Sequence, residues 1–291
     1  MRILRVKGTP RDWAELTNNR IQLLATPSAL ICYWIADGGA WSWLEAFYLA
    51  VGMLTVGSAT AALNHLLEVD IDKRMPHTCN RPLPTGRIRK RDAFLWGVGG
   101  ALFGILWLLI FLGPLTAWLA AVMLVIYDYI YTPLKRITPV NIFVGAVPAA
   151  FPPLIGYSAA GVGLDTMAAV LFLILLLWQL PHFLSRAWYR RLDYQIGGLH
   201  WLPGADPTGR AAGKRSVHYA LMLIPASQIP MFIEQTGWIY FFGACTMSLA
   251  FMVAVIFIGM YRKDTKGVVM AWASTIYVPL LATLLVIDLL L

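Results

Sequence analysis

The segment AFLWGVGGALFGILWLLIFL, residues Ala93 to Leu112, contains no charged side chain. A helix that crosses the ~30 Å hydrocarbon core of a bilayer needs about 20 predominantly apolar residues, so this segment is long enough to span a membrane. Similar segments recur along the chain, which is 59% hydrophobic and only 13% charged, whereas soluble domains carry about 25% charged residues. We therefore predict an all-α, polytopic membrane protein. Nine transmembrane helices are predicted, at 21–37, 40–63, 93–112, 114–131, 141–160, 166–184, 216–233, 237–260 and 268–288.

The distribution of basic residues supports this segmentation. All 23 Lys and Arg residues fall in the N-terminal stretch or in alternate predicted loops. The positive-inside rule then predicts an N-terminus in the cytoplasm and a C-terminus outside, in a multi-pass protein of the inner (plasma) membrane. The net charge of +8 is explained by topology and contact with anionic lipid, by a site for an anionic substrate, or by both, and it does not indicate a nucleic-acid partner.

The predicted organisation is one transmembrane domain over residues 1–291. Two long cytoplasmic loops, at about 64–92 and 185–215, are expected to cap the site. Pro148, Pro152 and Pro153 should interrupt the helix predicted at 141–160, since proline removes a backbone donor. Backbone groups freed in this way require partners within the protein or in a water-filled cavity, and the sequence leaves a simple kink equally open.

The run NHLLEVDIDKRMPHTCNRPLPTG, which begins at Asn64, is the most informative stretch. Asn64, Glu68 and Asp72 are four residues apart and therefore share one helical face. Like charges at this spacing repel, and the cost rises at a membrane boundary unless a cation lies between them. Mg²⁺ suits such oxygen ligands, because it commonly takes one or two carboxylates together with substrate phosphates. The alternative is a solvated helix end whose acids pair with Lys73 and Arg74.

Two further groups of basic residues face the same boundary. Prolines after the first motif shape a loop that carries His77 and Arg81, and a guanidinium suits phosphate oxygens. In YDYIYTPLKRITPVN, Lys135 and Arg136 follow the fourth span, with Asp128 on its membrane side as a candidate partner. Each of these basic residues is explained equally well as a topological charge.

The third cluster is WQLPHFLSRAWYRRLDYQIGGLHWLP, at the end of the sixth span. His182 lies at the membrane boundary, where an interfacial anchor is the simpler interpretation. Arg190, Arg191 and Asp193 follow, and the glycine pair beginning at Gly197 permits a tight turn. The two long loops could therefore close over one site.

Together these residues suggest a clamp for a diphosphate above an apolar chamber. Cleavage of an allylic diphosphate requires neutralisation of the leaving group and a dry cavity that protects the cation. Aromatic faces can stabilise such a cation, although most of the chain's aromatic residues are expected to serve packing and the membrane interface.

The three motifs resemble those of the UbiA-type intramembrane prenyltransferases. NHLLEVDID is similar to the first acidic motif of that family. The DKRMPHTCNRPLPTG run and the two later motifs resemble the haem-farnesylating (protoheme IX farnesyltransferase) subfamily, over about residues 20–215. The resemblance implies nine helices around a central cavity and Mg²⁺-dependent transfer of a farnesyl group from farnesyl diphosphate to a vinyl group of haem b. It also implies association with haem–copper oxidase assembly.

The resemblance assigns roles residue by residue. The residues assigned to Mg²⁺ are Asn64, Glu68, Asp72 and Asp193. The residues assigned to the diphosphate are Arg81, Lys135, Arg136 and Arg191. His182 completes the predicted catalytic set, as a candidate for contacting haem or orienting the water that quenches the cation.

Four departures from the family pattern concern the acceptor more than the diphosphate. Glu68 stands where Asp is usual, and His77 where Arg is expected; the second motif has a single acid, and Leu199-His200-Trp201 replaces Ile-Pro-Met. A different acceptor, such as a quinone precursor, another tetrapyrrole or a lipid, is therefore the first alternative. The second is a transporter of an anionic solute, which would require coupling residues near the middle of the membrane.

Overall fold

The computed structural model describes residues 8–200, 208–260 and 264–291, and within these ranges all regular structure is helical. The helices, in chain order, are α1 (Pro10–Leu16), α2 (Asn19–Ala36), α3 (Trp43–Leu67), α4 (Val69–Asp72), α5 (Lys90–Leu112), α6 (Pro114–Val125), a π-helical turn (Ile126–Tyr131), α7 (Thr132–Leu134), α8 (Asn141–Ala149), α9 (Pro152–Ala159), α10 (Thr166–Tyr189), α11 (Arg191–Gly197), α12 (Arg210–Phe232), α13 (Trp238–Met260) and α14 (Asp264–Leu290). The parts of the sequence predictions that lie outside the described residues are the basic residues Arg2, Arg5, Lys7, Arg262 and Lys263 and the loop segment 201–207.

Each predicted span coincides with one helix or with a run of consecutive helices. Among the described residues, six of these are long and apolar enough to cross a membrane, and the segments Ile21–Ala36 and Ser274–Leu290 are shorter apolar helices. The remaining predicted span falls on α12, which contains two prolines. The all-α, polytopic class is confirmed, and the count of nine crossings stays a prediction.

Prolines divide the fifth span as the sequence predicts. α8 ends at Ala149, Phe151 caps the next helix, and Pro152 occupies its first turn. Most of the span that contains this break is buried, and so are Ala150, Phe151 and Pro152 at the break itself. α9 also lies very close to α2, because an added Cβ at Gly156 would collide with the carbonyl oxygen of Ala29.

The N-terminal helix anchors the first long loop. Thr9 and Asp12 form a capping box at the start of α1. Arg87, at the far end of the loop, donates from Nε to Asp12 Oδ1 at 2.7 Å. This hydrogen bond and those from Thr9 hold the pKa of Asp12 below its usual value. The loop is thus fixed at both ends, by the end of α3 and by α1.

One apolar cluster joins the three motif-bearing segments. It contains Ile71 and Met75 from the first motif, Tyr131 from the second, and Leu184 and Leu199 from the third. All five side chains are buried. Because distant parts of the chain share this cluster, their polar residues are brought to the same end of the bundle.

Candidate active site

The acidic motif occupies the junction between α3 and α4. Glu68 is the residue at which α3 ends and α4 begins, with φ −100° and ψ 4°. The four-residue spacing survives this bend, because the Glu68 amide donates to the Asn64 carbonyl at 3.0 Å and the Asp72 amide to the Glu68 carbonyl at 2.8 Å. All three side chains are buried. The predicted shared face is therefore present.

Each of the three side chains has its own partner from elsewhere in the chain. Asn64 Nδ2 donates to Thr132 Oγ1 at 2.7 Å, and Lys135 Nζ donates to Glu68 Oε1 at 2.9 Å. Arg81 Nη1 donates to both oxygens of Asp72, at 2.9 and 3.1 Å. Lys73 and Arg74, the partners expected for a solvated helix end, are exposed. The acids of the motif thus meet the bases that the sequence assigned to the diphosphate.

The Glu68–Lys135 pair is the most buried ion pair at the site, with side-chain exposures of 9% and 8%. Burial opposes the ammonium form, but the Glu68 carboxylate, together with the Tyr131 and Tyr127 side chains, outweighs burial and raises the pKa of Lys135 above its usual value. The Lys135 Nζ also lies 4.4 Å from the centre of the Tyr131 ring. That ring packs against Gly145 in α8, where an added Cβ would overlap it. A glycine is therefore required at this contact.

The Asp72–Arg81 contact closes the first loop on itself. Thr78 Oγ1 donates to the backbone carbonyl of Asp72 at 3.0 Å, which holds the loop close to the end of α4. Asp72 is fully buried, and this burial raises its carboxyl pKa, while Arg81 opposes the effect. The Arg81 side chain is 29% exposed, so it joins the buried acid to the surface of the site.

The second acid, Asp193, meets the first loop through His77. His77 Nδ1 lies 2.7 Å from Asp193 Oδ2, without the alignment of a hydrogen bond. Burial, together with nearby Arg190, lowers the pKa of His77, so the imidazole is neutral at pH 7. Arg190 Nη1 donates to the same carboxylate oxygen at 3.3 Å. Gly197 packs on Met75, which places α11 directly over the first loop.

The third motif also contacts the second. The His200 amide donates to the Lys135 carbonyl at 2.8 Å, and its Nδ1 donates to the Arg136 carbonyl at 2.6 Å. Asn141 Nδ2 donates to the His200 carbonyl at 2.9 Å. The prediction that the two long loops close over one site is consistent with these contacts, and the segment around Lys135 is part of the same closure.

Two of the basic residues assigned to the diphosphate have structural contacts. Arg136 Nη2 donates to the carbonyl of Leu67 at 2.9 Å, at the C-terminal end of α3. Arg191 Nη1 donates to the carbonyl of Trp188 at 3.1 Å, and its guanidinium lies 4.3 Å from the centre of the Trp188 ring. Their contact with a diphosphate stays a prediction.

His182 lies apart from the acidic motif, on α10. Its Nδ1 shares a hydrogen bond with Ser274 Oγ at 2.7 Å, and its ring stacks on Trp178 at a centroid distance of 5.5 Å. Trp178 Nε1 donates to the Ser274 carbonyl at 2.7 Å, so the same residue of α14 holds both rings. These contacts fix the orientation of the imidazole.

The donor set fits Mg²⁺ held jointly with a diphosphate. Across the described ranges, no three His, Cys, Asp or Glu side chains converge on one point, because Glu68 and Asp72 are turned toward their basic partners. Mg²⁺ needs only one or two carboxylates when phosphate oxygens complete its shell. Asn64 can supply an amide oxygen, since its nitrogen is engaged by Thr132.

Sequence reasoning missed three residues. Thr132 orients Asn64, and His200 binds the backbone on either side of the Lys135–Arg136 bond. The sequence suggests Asp128 only as a partner for Lys135 or Arg136, but Asp128 is fully buried and neither of its carboxylate oxygens has a hydrogen-bond partner. The available signal was an ionisable residue inside a predicted span, which is itself an indication of function.

Comparison with known proteins gives a consistent family. Residues 25–278 match the UbiA prenyltransferase family. A relative from Solibacter usitatus (strain Ellin6076), named protoheme IX farnesyltransferase, is 36% identical over 96% of this chain and 98% of its own length. A relative of the same name from Salinibacter ruber (strain DSM 13855 / M31) is 36% identical over 95% and 98%.

Solved structures share the fold. A digeranylgeranylglyceryl phosphate synthase structure aligns with a TM-score of 0.79 at 16% identity, covering 96% of this chain and 98% of that one. A UbiA homolog from Archaeoglobus fulgidus, bound to GPP and Mg²⁺, aligns with a TM-score of 0.70 at 14% identity, covering 94% and 99%. The match over most of the sequence and the shared helical bundle agree with the resemblance of the three motifs, and this chain belongs to the UbiA prenyltransferase family.

Proposed function

We propose that this protein transfers a farnesyl group from farnesyl diphosphate to a vinyl group of haem b, which gives haem o and releases diphosphate. The observation that carries the proposal is the pairing of the acidic motif with Lys135 and Arg81 at the end of an apolar bundle. The names of the relatives, which match over nearly their whole length, support haem b as the acceptor.

The pairing supports an exchange mechanism for the diphosphate half of the reaction. Glu68 and Asp72 would turn from their basic partners to hold Mg²⁺ with Asn64, and Asp193 is proposed to join them from α11. When bound, Mg²⁺ would supply charge neutralisation for the leaving group. Lys135 and Arg81, released from the acids, would bind the diphosphate oxygens, with Arg136 and Arg191 as further proposed contacts. On this proposal, the bases would already lie where negative charge develops on the leaving group.

The same exchange would prepare the chamber for the allylic cation. In the resting protein the Lys135 ammonium lies over the Tyr131 ring. Movement of that ammonium toward the diphosphate would leave the ring face available to the farnesyl cation, which aromatic faces attract. The close packing of this ring on Gly145 would keep it in position.

The acceptor is the part of the proposal that an assay decides most directly. Purified protein in nanodiscs is incubated with Mg²⁺ and farnesyl diphosphate, together with either haem b or 4-hydroxybenzoate. Haem o formed only with haem b supports the proposal. A prenylated phenol without haem o would instead show that the acceptor is a phenol and not haem b.

The assignment of the acids has its own test. The double variant Glu68→Gln, Asp72→Asn should lose Mg²⁺-dependent release of diphosphate by at least about a hundredfold, the scale expected when an electrostatic group is removed from an active site. Asp70→Asn is the matched control, because Asp70 lies in the same motif but is exposed. Full turnover by the double variant would refute the assignment of these acids to the metal.

We also propose the inner (plasma) membrane as the location, with a cytoplasmic N-terminus and an external C-terminus, and association with haem–copper oxidase assembly. Single cysteines introduced near each end, labelled by a membrane-impermeant reagent on intact cells, test the orientation. Labelling of the N-terminal cysteine on intact cells would show that the orientation is the reverse of the one proposed. Co-purification of an oxidase subunit from native membranes tests the association.

A further inference from the structure

Asp128 is a buried carboxyl group that the diphosphate chemistry does not use. It is fully buried, and both of its oxygens lack hydrogen-bond partners. An unpaired acid in an apolar surrounding costs several kcal/mol when ionised, so such a residue inside a membrane span calls for a function. Lys135 already has a carboxylate partner in Glu68, so Asp128 is not its hydrogen-bonded counter-ion in this structure.

A specific backbone feature places Asp128 next to the site. It lies in the π-helical turn Ile126–Tyr131, and single π turns occur frequently at functional sites. The amide and the hydroxyl of Thr132 both donate to the carbonyl of Tyr127, so Asp128 lies inside this hydrogen-bonded turn. The same hydroxyl accepts the hydrogen bond from Asn64, so the turn is joined directly to the acidic motif.

Asp128 lies within the predicted fourth span, on the membrane side of Lys135. It precedes Lys135 by seven residues, and the π-helical turn and α7 lie between the two. Lys135 and Glu68 are the charged groups that act on it electrostatically. If Glu68 turned to a metal as proposed, Lys135 would be the remaining one of these two charges, and its positive charge would favour an ionised Asp128 carboxylate.

We propose that Asp128 accepts the proton of the water that ends the reaction, an inference that rests on the proposed function. The C1–O bond of farnesyl diphosphate breaks and its electron pair leaves with the diphosphate. The π electrons of the haem vinyl group form the new bond from its terminal carbon to farnesyl C1, which leaves the positive charge on the carbon attached to the macrocycle. A water lone pair forms the C–O bond there, and one O–H proton of that water passes to the Asp128 carboxylate.

The contacts of His182 make it a weaker candidate for this step. Its Nδ1 is engaged by Ser274 and its ring is stacked on Trp178. Those contacts hold the imidazole against α14, whereas both Asp128 oxygens lack hydrogen-bond partners in this structure.

The test measures which product forms. Asp128→Asn and Asp128→Leu cannot accept the proton, and Leu suits an apolar surrounding, so at least one variant should fold. The cation would instead lose a proton from the neighbouring CH₂ to the released diphosphate, and the C–H electrons would form a double bond, giving a farnesylated haem lighter by one water. We expect the hydroxylated fraction to fall about tenfold or more while diphosphate release continues. Asp165→Asn, the same change at an exposed helix cap, is the control.

Wild-type protein is assayed first, in heavy-oxygen water, so that failure of the proposed function is recognised separately. If wild type makes no haem product, the proposed function falls. If wild type incorporates heavy oxygen and both Asp128 variants give the same hydroxylated product at the same rate, the role of Asp128 is overturned. Loss of diphosphate release in both variants would also overturn it, because Asp128 would then belong to the diphosphate half of the site.

Discussion

Replacing Lys135 by methionine should destabilise the protein far more than the same replacement of an exposed, paired basic residue. The ammonium donates to Glu68 at 2.9 Å, and the two side chains are only 8% and 9% exposed. Methionine keeps most of the length of the side chain and removes its charge. The buried carboxylate then has no partner, and removal of one member of a buried ion pair typically costs about 3–5 kcal/mol.

The companion variants separate pairing from packing. Glu68→Gln alone leaves a buried ammonium and should cost a similar amount. The double variant Glu68→Gln, Lys135→Met has no unpaired charge, and replacement of a whole buried pair is often neutral or stabilising. The two single losses should therefore cancel by at least about 2 kcal/mol in a double-mutant cycle, although the double variant should be inactive.

Thermal unfolding in detergent measures these effects, and a loss of about 3–5 kcal/mol corresponds to a fall in the midpoint on the order of 10 °C. Arg89→Met is the control, since the Arg89–Asp92 pair has side-chain exposures of 53% and 27% and should contribute less than about 1 kcal/mol. Strictly additive losses in the double variant would refute the buried pairing. A Lys135→Met midpoint equal to that of Arg89→Met would do the same.

Three further predictions follow from the same contacts. Mg²⁺ alone should bind weakly to the resting protein, and its affinity should rise at least about tenfold when inorganic pyrophosphate is present, because Glu68 and Asp72 are released only when their basic partners bind phosphate oxygens. Isothermal titration calorimetry with each ligand alone and with both together measures this coupling, and independent affinities would contradict it. Burial raises the pKa of Asp72 and Arg81 opposes that rise, so protonation of Asp72 at low pH should weaken Mn²⁺ binding in the presence of pyrophosphate. Arg81→Met should shift this loss of Mn²⁺ binding to higher pH, and an unchanged pH dependence would show that Arg81 does not lower the pKa of Asp72. Gly145→Ala should lower the free energy of unfolding by about 1–3 kcal/mol and slow turnover, because the added Cβ displaces Tyr131. In the control Gly99→Ala the added Cβ meets nothing within 4 Å, so the thermal midpoint should be unchanged or higher and turnover should be unchanged.

The fold and half of the site are readable from local sequence. Helix positions follow from uninterrupted apolar segments, and the shared face of Asn64, Glu68 and Asp72 follows from a spacing of four. Local patterns contain no information on contacts between distant segments. Lys135 meets Glu68 across 67 positions of sequence, and no periodicity predicts that contact.

Backbone irregularities were likewise beyond the sequence. The π-helical turn Ile126–Tyr131 lies within a span that the apolar pattern predicts as one continuous helix, and the hydrogen bonds from Thr132 to the Tyr127 carbonyl mark the irregularity. The role of His200 depends on backbone carbonyls of another loop. Its location could have been suspected from the departure at residues 199–201, but its contacts could not.

The contact between Glu68 and Lys135 also bears on how a reaction cycle would end. On the proposed mechanism, diphosphate left behind after the transfer would compete with the carboxylates of Glu68 and Asp72 for Lys135 and Arg81. Each carboxylate is tethered a few ångströms away, so its effective concentration is far higher than that of any free anion. Re-formation of these internal ion pairs would therefore displace the diphosphate, and the site could then bind the next prenyl donor.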